Sequence, residues 1–300
     1  MNTIELNKVR KSYDHFVAVD DLTFHIEQGS VFGLLGPNGA GKTSTIRMMI
    51  GITVPDSGDI RMFGKPFERK SLERVGYLPE ERGLYKKMKV VDQLVFLGQL
   101  HGLAASAARQ KAAAWCERLE ISDWLPKKVE ELSKGMQQKI QFIATLMHDP
   151  DFIVMDEPFS GLDPVNVVLL KNVLLDLKAR GKTVLFSTHQ MDTVEKLCDS
   201  ICLIDHGKSV LQGELKQIKA RFGKSNVQIE YEGDGNFLEK SNLVAAYNNY
   251  GNYVEVRLAP GADAQQLLHV VAERSRVSKF ELMEPSLEEI FIESVGKTDA

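Results

Sequence analysis

The alternation of apolar and polar positions divides the chain into elements of two periods. Ile4 to Val9 and Leu22 to Ile26 alternate as strands, the second running out at Gln28-Gly29. Phe32-Gly33-Leu34-Leu35 is an unbroken apolar run and reads as a buried strand, with Ser44 to Ile50 following as a helix. Pro55-Asp56-Ser57-Gly58 is a turn and Asp59 to Phe63 a short strand. Val75-Gly76-Tyr77-Leu78-Pro79 is a strand ended by proline, and the charged loop Glu80-Glu81-Arg82-Gly83 follows it. Val91 to Leu100 and Ser106 to Leu119 repeat at helical spacing on either side of Gly102. Ser133 opens a further helix that runs to His148 and stops at Asp149-Pro150. No strand pattern interrupts these segments, so about 88–150 is expected to be a helical insertion, with Trp115 and Trp124 in its core.

Phe152-Ile153-Val154-Met155-Asp156 is an apolar strand ending in a carboxylate. Val165 to Arg180 is a helix stopped by Gly181, and Thr183 to Phe186 is a β-branched strand running into Ser187-Thr188-His189. Strands alternating with helices in this way predict an α/β fold, with a mixed, mostly parallel sheet covered by helices on both faces. After Phe222 the character changes. Gly223-Lys224-Ser225-Asn226 reads as a linker; Val227 to Tyr231, Tyr253 to Leu258 and Val277 to Met283 as strands; Asp263 to Ser275 and Ser286 to Val295 as helices. The expected organisation is therefore a large domain over 1–222 and a small α+β domain over 223–300.

Composition narrows the partners. The chain has 300 residues, 43% of them hydrophobic, and a net charge of −4, which is ample apolar mass for a core and no basic footprint for a nucleic acid. Lys86-Lys87 with Lys89, and Lys127-Lys128, read as solvated faces. Cys116, Cys198 and Cys202 cannot all pair and fit no zinc spacing, so they are expected as small buried hydrophobes. The N-terminus carries no apolar signal region and no run approaches the ~18 apolar residues of a membrane span. The expectation is a cytosolic chain that reaches any membrane through a partner.

The candidate chemistry sits where apolar strands end. Gly36-Pro37-Asn38-Gly39-Ala40-Gly41-Lys42-Thr43, with Ser44 next, lies between a strand and a helix, the context a phosphate loop needs. Gly39 and Gly41 let the backbone turn tightly at a helix N-terminus, where anions are favoured. Lys42 can reach the β- and γ-phosphates of a nucleoside triphosphate, and the Thr43 hydroxyl can ligate Mg²⁺. Asp156 projects at the carboxyl edge of the sheet, where it can hold Mg²⁺ from the other side. Glu157 beside it can polarise the water that attacks the γ-phosphate. His189, at the end of the next apolar strand, can contact the γ-phosphate and register its loss.

With Leu132-Ser133-Lys134-Gly135-Met136-Gln137-Gln138 the chain resembles the ABC-type ATPases. That segment is similar to their signature sequence, and it stands shortly before Asp156-Glu157, Ser160-Gly161-Leu162-Asp163 and His189 in the family's order. The resemblance covers 1–222. It implies that Tyr13 stacks on the adenine, that Asp163 lies on a loop crossing a dimer interface, and that two copies sandwich two ATP molecules. Ser133 and Gly135 of one copy would then meet the γ-phosphate held by the other copy's Lys42. Two departures stand out: Glu80 occupies the place of a glutamine that serves Mg²⁺ and the membrane subunit, and Lys134 and Met136 replace Gly and Gln in the signature. Gly76 to Tyr85 and the tail Glu284-Pro285-Ser286-Leu287-Glu288-Glu289-Ile290-Phe291 resemble the bacterial export-type branch, which includes sodium and drug extrusion ATPases. That branch implies a separate transmembrane permease and a place on the inner face of the cell membrane. Two other classes fit parts of the pattern: a soluble ABC-type ATPase acting on ribosomes or DNA, and a nucleotide-binding regulator that does not hydrolyse, which Glu80 makes thinkable.

Overall fold

The computed structural model describes residues 1–81, 83–223, 226–233 and 236–296; Arg82 of the charged loop and Lys224-Ser225 of the expected linker lie outside them. The chain divides into two compact units, Met1–Glu214 and Leu215–Ala300. The division falls ahead of the change in character after Phe222, because the helix Leu215–Phe222 groups with the second unit.

The first unit opens with β1 (Asn2–Tyr13) and β2 (Phe16–Glu27), an antiparallel pair longer at both ends than the alternation predicts. Register shifts between Leu6 and Val9 and between Val9 and Lys11, with Lys8 and Asp21 at positive φ, explain the difference. Each bulge flips the side-chain phase, so one long strand looks like a short one followed by a polar loop. There follow β3 (Val31–Leu35), α1 (Lys42–Met49), β4 (Ser57–Met62), β5 (Lys65–Pro66) and β6 (Val75–Leu78). The helical insertion comes next: α2 (Val90–Leu100), α3 (Ala105–Arg118) and α4 (Lys134–Leu146), with no strand among them. Then come β7 (Phe152–Asp156), α5 (Pro164–Ala179), β8 (Thr183–Thr188), α6 (Met191–Leu197), β9 (Ser200–Asp205) and β10 (Lys208–Glu214).

Two sheets result. A six-stranded sheet has the order β10-β9-β3-β8-β7-β6 and is parallel except for the β9–β10 pair. A four-stranded antiparallel sheet, β2-β1-β4-β5, meets it across one core. Ile4, Leu22 and Ile60 of the small sheet, Leu34, Val154 and Leu185 of the large one, and Ile46 and Met49 of α1 share that core, with Phe24 stacked on Phe32 at 5.3 Å. The continuous apolar runs are the strands buried on both faces, as a parallel sheet requires. All five residues of β3 and of β7 are buried.

Trp115 and Trp124, expected in the core, are only half-buried. Each lies under a cation instead: Arg118 at 5.0 Å from the Trp115 ring and Lys139 at 5.6 Å from the Trp124 ring. Amphipathic rings at the rim of a helical layer satisfy burial and the cation together. The three cysteines are free. Burial pushes the Cys116 thiol up to about 11 and the Cys202 thiol up to about 12, as small buried hydrophobes behave. Lys86, Lys87, Lys89, Lys127 and Lys128 are exposed.

The second unit comprises α7 (Leu215–Phe222), β11 (Asn226–Glu232), α8 (Asn236–Glu239), β12 (Val244–Asn249), β13 (Val254–Leu258), α9 (Ala264–Arg274), β14 (Arg276–Met283) and α10 (Leu287–Gly296). Its sheet is antiparallel in the order β12-β13-β11-β14. Leu267 and Val271 of α9 bury against Val227, Ile229, Val254 and Val256 in a core of its own. Strand β12 was not predicted; it is largely exposed, so its sequence carries little alternation.

Candidate functional site

A cavity of about 350 Å³ opens at the carboxyl ends of β3 and β7. It is lined by Tyr13, Phe16, Ala18, Asn38, Gly39, Gly41, Lys42, Thr43, Ser44, Glu80, Asp156 and Glu157. Ten of these twelve were candidates from the sequence; Phe16 and Ala18 were not. Both belong to β2, whose start was hidden by the bulges, and Phe16 pairs directly with Tyr13 across the hairpin. Gly36, Pro37 and Ala40 of the loop are not part of the lining; Gly36 and Ala40 are buried and Pro37 is exposed.

The loop keeps its shape because two of its residues cannot carry a side chain. Gly36 has φ +149°, and a Cβ there would run into the Ile204 carbonyl; Gly41 has φ +106°, and a Cβ there would run into the Ala18 carbonyl. Gly41 is the N-cap of α1, so the cavity sits at a helix N-terminus, the positive end of the helix dipole. The Lys42 ammonium folds back over the loop and donates to Gly36 O at 2.7 Å and Pro37 O at 3.0 Å. Burial holds its pKa below the ordinary lysine value, while Glu157, Asp156 and Glu80 push the other way.

Asp156 is 1% exposed. It accepts from Thr43 Oγ1 at 2.8 Å and also from Ser187 Oγ. Glu157, at φ +48°, turns the chain sharply after the strand. Its backbone N–H donates to Ser187 O at 3.2 Å. Its carboxylate accepts from Thr188 Oγ1 at 3.2 Å and lies 2.9 Å from His189 Nδ1. His189 is thus brought to Glu157 from the end of β8, although it is not part of the cavity lining. The donor set offered by Thr43, Asp156 and Glu80 is all hard oxygen, which fits Mg²⁺. Among the described residues no three His, Cys, Asp or Glu side chains are grouped closely enough to hold a metal by themselves. Mg²⁺ at a nucleotide is ordinarily bound through one or two carboxylates, with phosphate oxygens and water completing the shell.

The signature segment forms a separate edge. Ser133 caps α4 and accepts from Met136 N at 3.2 Å. Lys134 is exposed and Met136 half-buried. Gly135 packs against the next loop, where a Cβ would come within 3.1 Å of Gly161 O. Asp163 caps α5, accepting from Asn166 N at 3.0 Å, and these bonds hold its carboxyl below the usual range. The side chain of Gln137 turns inward and donates to Val129 O and Leu132 O at 3.2 and 3.0 Å, so it braces its own loop. Two glutamines on α4 make contacts the sequence did not predict: Gln138, quoted with the signature but given no role, and Gln141, not singled out. Gln138 Nε2 donates to Pro158 O at 3.2 Å, joining this edge to the Glu157 turn. Gln141 Nε2 donates to Pro79 O at 3.2 Å and Glu81 O at 3.3 Å, bracketing Glu80. Their signal was a polar pair on a helix face that is otherwise apolar.

A phosphate loop at the edge of a parallel sheet, facing a strand-end aspartate, defines a P-loop nucleotide-binding protein. Comparison with known proteins carries the assignment further. The ABC transporter family model matches residues 19–160, and the C-terminal domain of DrrA1-3-like ATP-binding proteins matches residues 213–295. The uncharacterized ABC transporter ATP-binding protein YhaQ of Bacillus subtilis (strain 168) is 46% identical over 293 residues, covering 98% of each chain. Nod factor export ATP-binding protein I of Paraburkholderia xenovorans (strain LB400) is 41% identical over 213 residues, 70% of each chain. Among solved structures, an ATP-binding subunit of an ABC transporter superposes with a TM-score of 0.68 at 28% identity, over 74% of this chain and 93% of that one. The ADP conformation of MJ1267, an ATP-binding cassette of an ABC transporter, gives 0.64 at 25% identity, over 72% of this chain and 92% of that one. This chain belongs to the ABC transporter ATP-binding proteins. It is an ATP-binding subunit of such a transporter, in a family that works as dimers with membrane permeases. No helix among the described residues is long and apolar enough to cross a membrane.

Proposed function

We propose that the chain hydrolyses ATP to drive export through a separate membrane permease, two copies closing around two ATP molecules. The observation that carries this reading is the meeting of Lys42, Thr43, Asp156 and Glu157 at one strand-end cavity, with Glu157 held by Thr188 and His189. Lys42 and the α1 N-terminus bind the phosphates, and Tyr13 with Phe16 takes the adenine. Thr43 and Asp156, with Glu80 nearby, would hold Mg²⁺, which would supply charge neutralisation on the β- and γ-phosphates. Glu157 accepts a proton from the attacking water, and His189 orients its carboxylate. Ser133 and Gly135, with Lys134, Met136 and Asp163 around them, complete the pocket of the second copy.

The export direction is supported by the names of relatives, Nod factor export ATP-binding proteins; sodium or a drug-like compound is the cargo class that fits the sequence resemblance. We read the first unit as the nucleotide domain and the second, with the helix Leu215–Phe222, as a C-terminal domain that packs or steadies the dimer. The permease would hold the complex at the inner face of the membrane. Pro79, Gly83 and Leu84 border a small groove with Leu97, His101 and Gln141, the seat we assign to a permease segment. The test is Glu157→Gln, expected to keep ATP binding, stop turnover and accumulate an ATP-bound dimer. Hydrolysis at the wild-type rate in that variant overturns the reading. Recovery of a polytopic membrane protein with the chain tests the permease.

A further inference from the structure

We infer that Glu80 makes capture of ATP depend on the divalent cation: its carboxylate repels the metal-free nucleotide and is compensated only when the cation arrives with it. The inference rests on the ATP-binding reading above and assigns a selectivity role to one residue of that site.

The charges at the cavity are unevenly matched. Lys42 is the one cationic side chain among the lining residues, and Glu80, Asp156 and Glu157 face it. Glu157, Asp156 and Glu80 all act electrostatically on the Lys42 ammonium. Lys11, 5.7 Å from the Tyr13 ring, is not among the lining residues and is paired to Asp56 at 2.7 Å. Asp156 and Glu157 are already engaged, the first by Thr43 and Ser187, the second by Thr188 and His189. They belong to the phosphate and water chemistry whatever stands at position 80. Glu80 is the additional charge.

Glu80 is also held in place. Gln141, buried in α4, donates from one amide nitrogen to the carbonyls on either side of it, Pro79 O and Glu81 O. Thr145, one turn further along α4, donates to Tyr77 O at 3.3 Å. The segment carrying Glu80 is therefore pinned to the helical layer while its side chain faces the cavity. Facing the cavity, the Glu80 carboxylate adds its negative field there whether or not a cation accompanies the nucleotide. Metal-free ATP brings about two more negative charges to that field than its magnesium complex does. At the effective dielectric of a partly exposed site, one further carboxylate within several ångströms is worth roughly a tenfold change in affinity for the more highly charged species. A glutamine at the same place would keep the shape and remove the discrimination.

The experiment measures equilibrium binding of ATP to the full chain by calorimetry, with Mg²⁺ and with EDTA. It compares wild type, Glu80→Gln and Glu80→Asp. In the wild type the ratio of the two dissociation constants is large. In Glu80→Gln it falls by about tenfold, or about 1.4 kcal/mol, chiefly because metal-free ATP binds more tightly. Glu80→Asp keeps the charge and holds the ratio within about threefold of wild type, and raising the salt narrows the wild-type gap. A Glu80→Gln ratio within about threefold of wild type overturns the inference. Failure of the wild type to bind ATP in either condition would instead overturn the nucleotide site itself, so the two failures are distinct.

Discussion

Lys42 and Asp156 stand at the closed end of the cavity, 7% and 1% exposed, each bonded to its own chain. Ser133 and Lys134 stand on an exposed helix start, and Val165 and Val168, just beyond Asp163, are 78% and 57% exposed. One region is assembled within a single chain; the other presents a capped helix and apolar side chains outward. A buried cation and carboxylate must find partners during folding, so the phosphate half is fixed before any nucleotide binds. The signature edge has no such requirement and can wait for a partner. Under the function proposed above, the contrast makes binding and turnover separable: the first would belong to one chain, the second to a pair.

The largest effects should come from the closed half. Lys42→Ala removes the one lysine at the phosphates and is expected to weaken ATP binding by more than about 100-fold, since charge-assisted phosphate contacts are the strong ones. Gly135→Asp places a carboxylate at the outward edge, where even a Cβ meets Gly161 O at 3.1 Å. It should leave ATP binding by the single chain within about twofold of wild type while abolishing turnover. Calorimetry and phosphate release on the two variants check this split, and equal losses of binding in both would break the comparison.

Mixing those two inactive variants sharpens it. In a mixed pair, the Gly135→Asp chain supplies an intact Lys42 and the Lys42→Ala chain supplies an intact Gly135, so one complete site forms. Random pairing then restores turnover up to about a quarter of the wild-type level. If each site were built from one chain, mixing would restore nothing, because every chain carries a defect.

Much of this was legible in the sequence, and the reasons differ by region. The continuous apolar runs of β3 and β7 end at Gly36 and Asp156, so sheet edge and chemistry are read together; the loop, Glu157 and His189 fall where their strands predict. The hairpin of β1 and β2 was legible only in part, because bulges near Lys8 and Asp21 reset the alternation, and with it went Phe16 and Ala18. The contacts of Gln138 and Gln141 could not be read: each bonds a carbonyl outside its own helix, at Pro158 or Pro79, and a polar pair on an apolar helix face does not name its partner. The tryptophans were misplaced because a large apolar ring reads as core until the cation beside it is known.

Helix α4 runs from the open edge at Ser133 toward the buried side, and the turn that follows it supplies a smaller, pH-dependent effect. His148 stacks on His101 with ring centroids 3.8 Å apart, and its Nε2 lies 3.1 Å from Val75 O. Burial, then the neighbouring His101 ring, lowers its pKa from 6.5 to about 4. The folded state thus favours neutral imidazole. Above 6.5 neither state is protonated there and nothing is lost. As the pH falls from 6.5 toward 4, the unfolded chain takes up a proton that the folded chain refuses, so stability declines, by roughly 2–3 kcal/mol across the window. Denaturant melts of wild type and His148→Gln at pH 7.5 and 4.5 check this. The variant should show the smaller acid loss, and an equal loss in both would remove His148 as the cause.

The smallest effect separates structure from assembly at Asp163. Its carboxylate caps α5 through Asn166 N, and it stands on the loop beside Gly161, which packs against Gly135. Asp163→Ala deletes the cap and is expected to lower the melting temperature by about 2–4 °C, the usual consequence of losing one N-cap in a domain of this size. Asp163→Asn keeps the cap, since asparagine accepts the same backbone bond, and should melt within about 1 °C of wild type. What it removes is the charge at the outward edge. If Asp163→Asn also turns over ATP normally, the residue serves only its own helix; reduced turnover at an unchanged melting temperature would place its charge in the contact between copies, on the open side of the comparison.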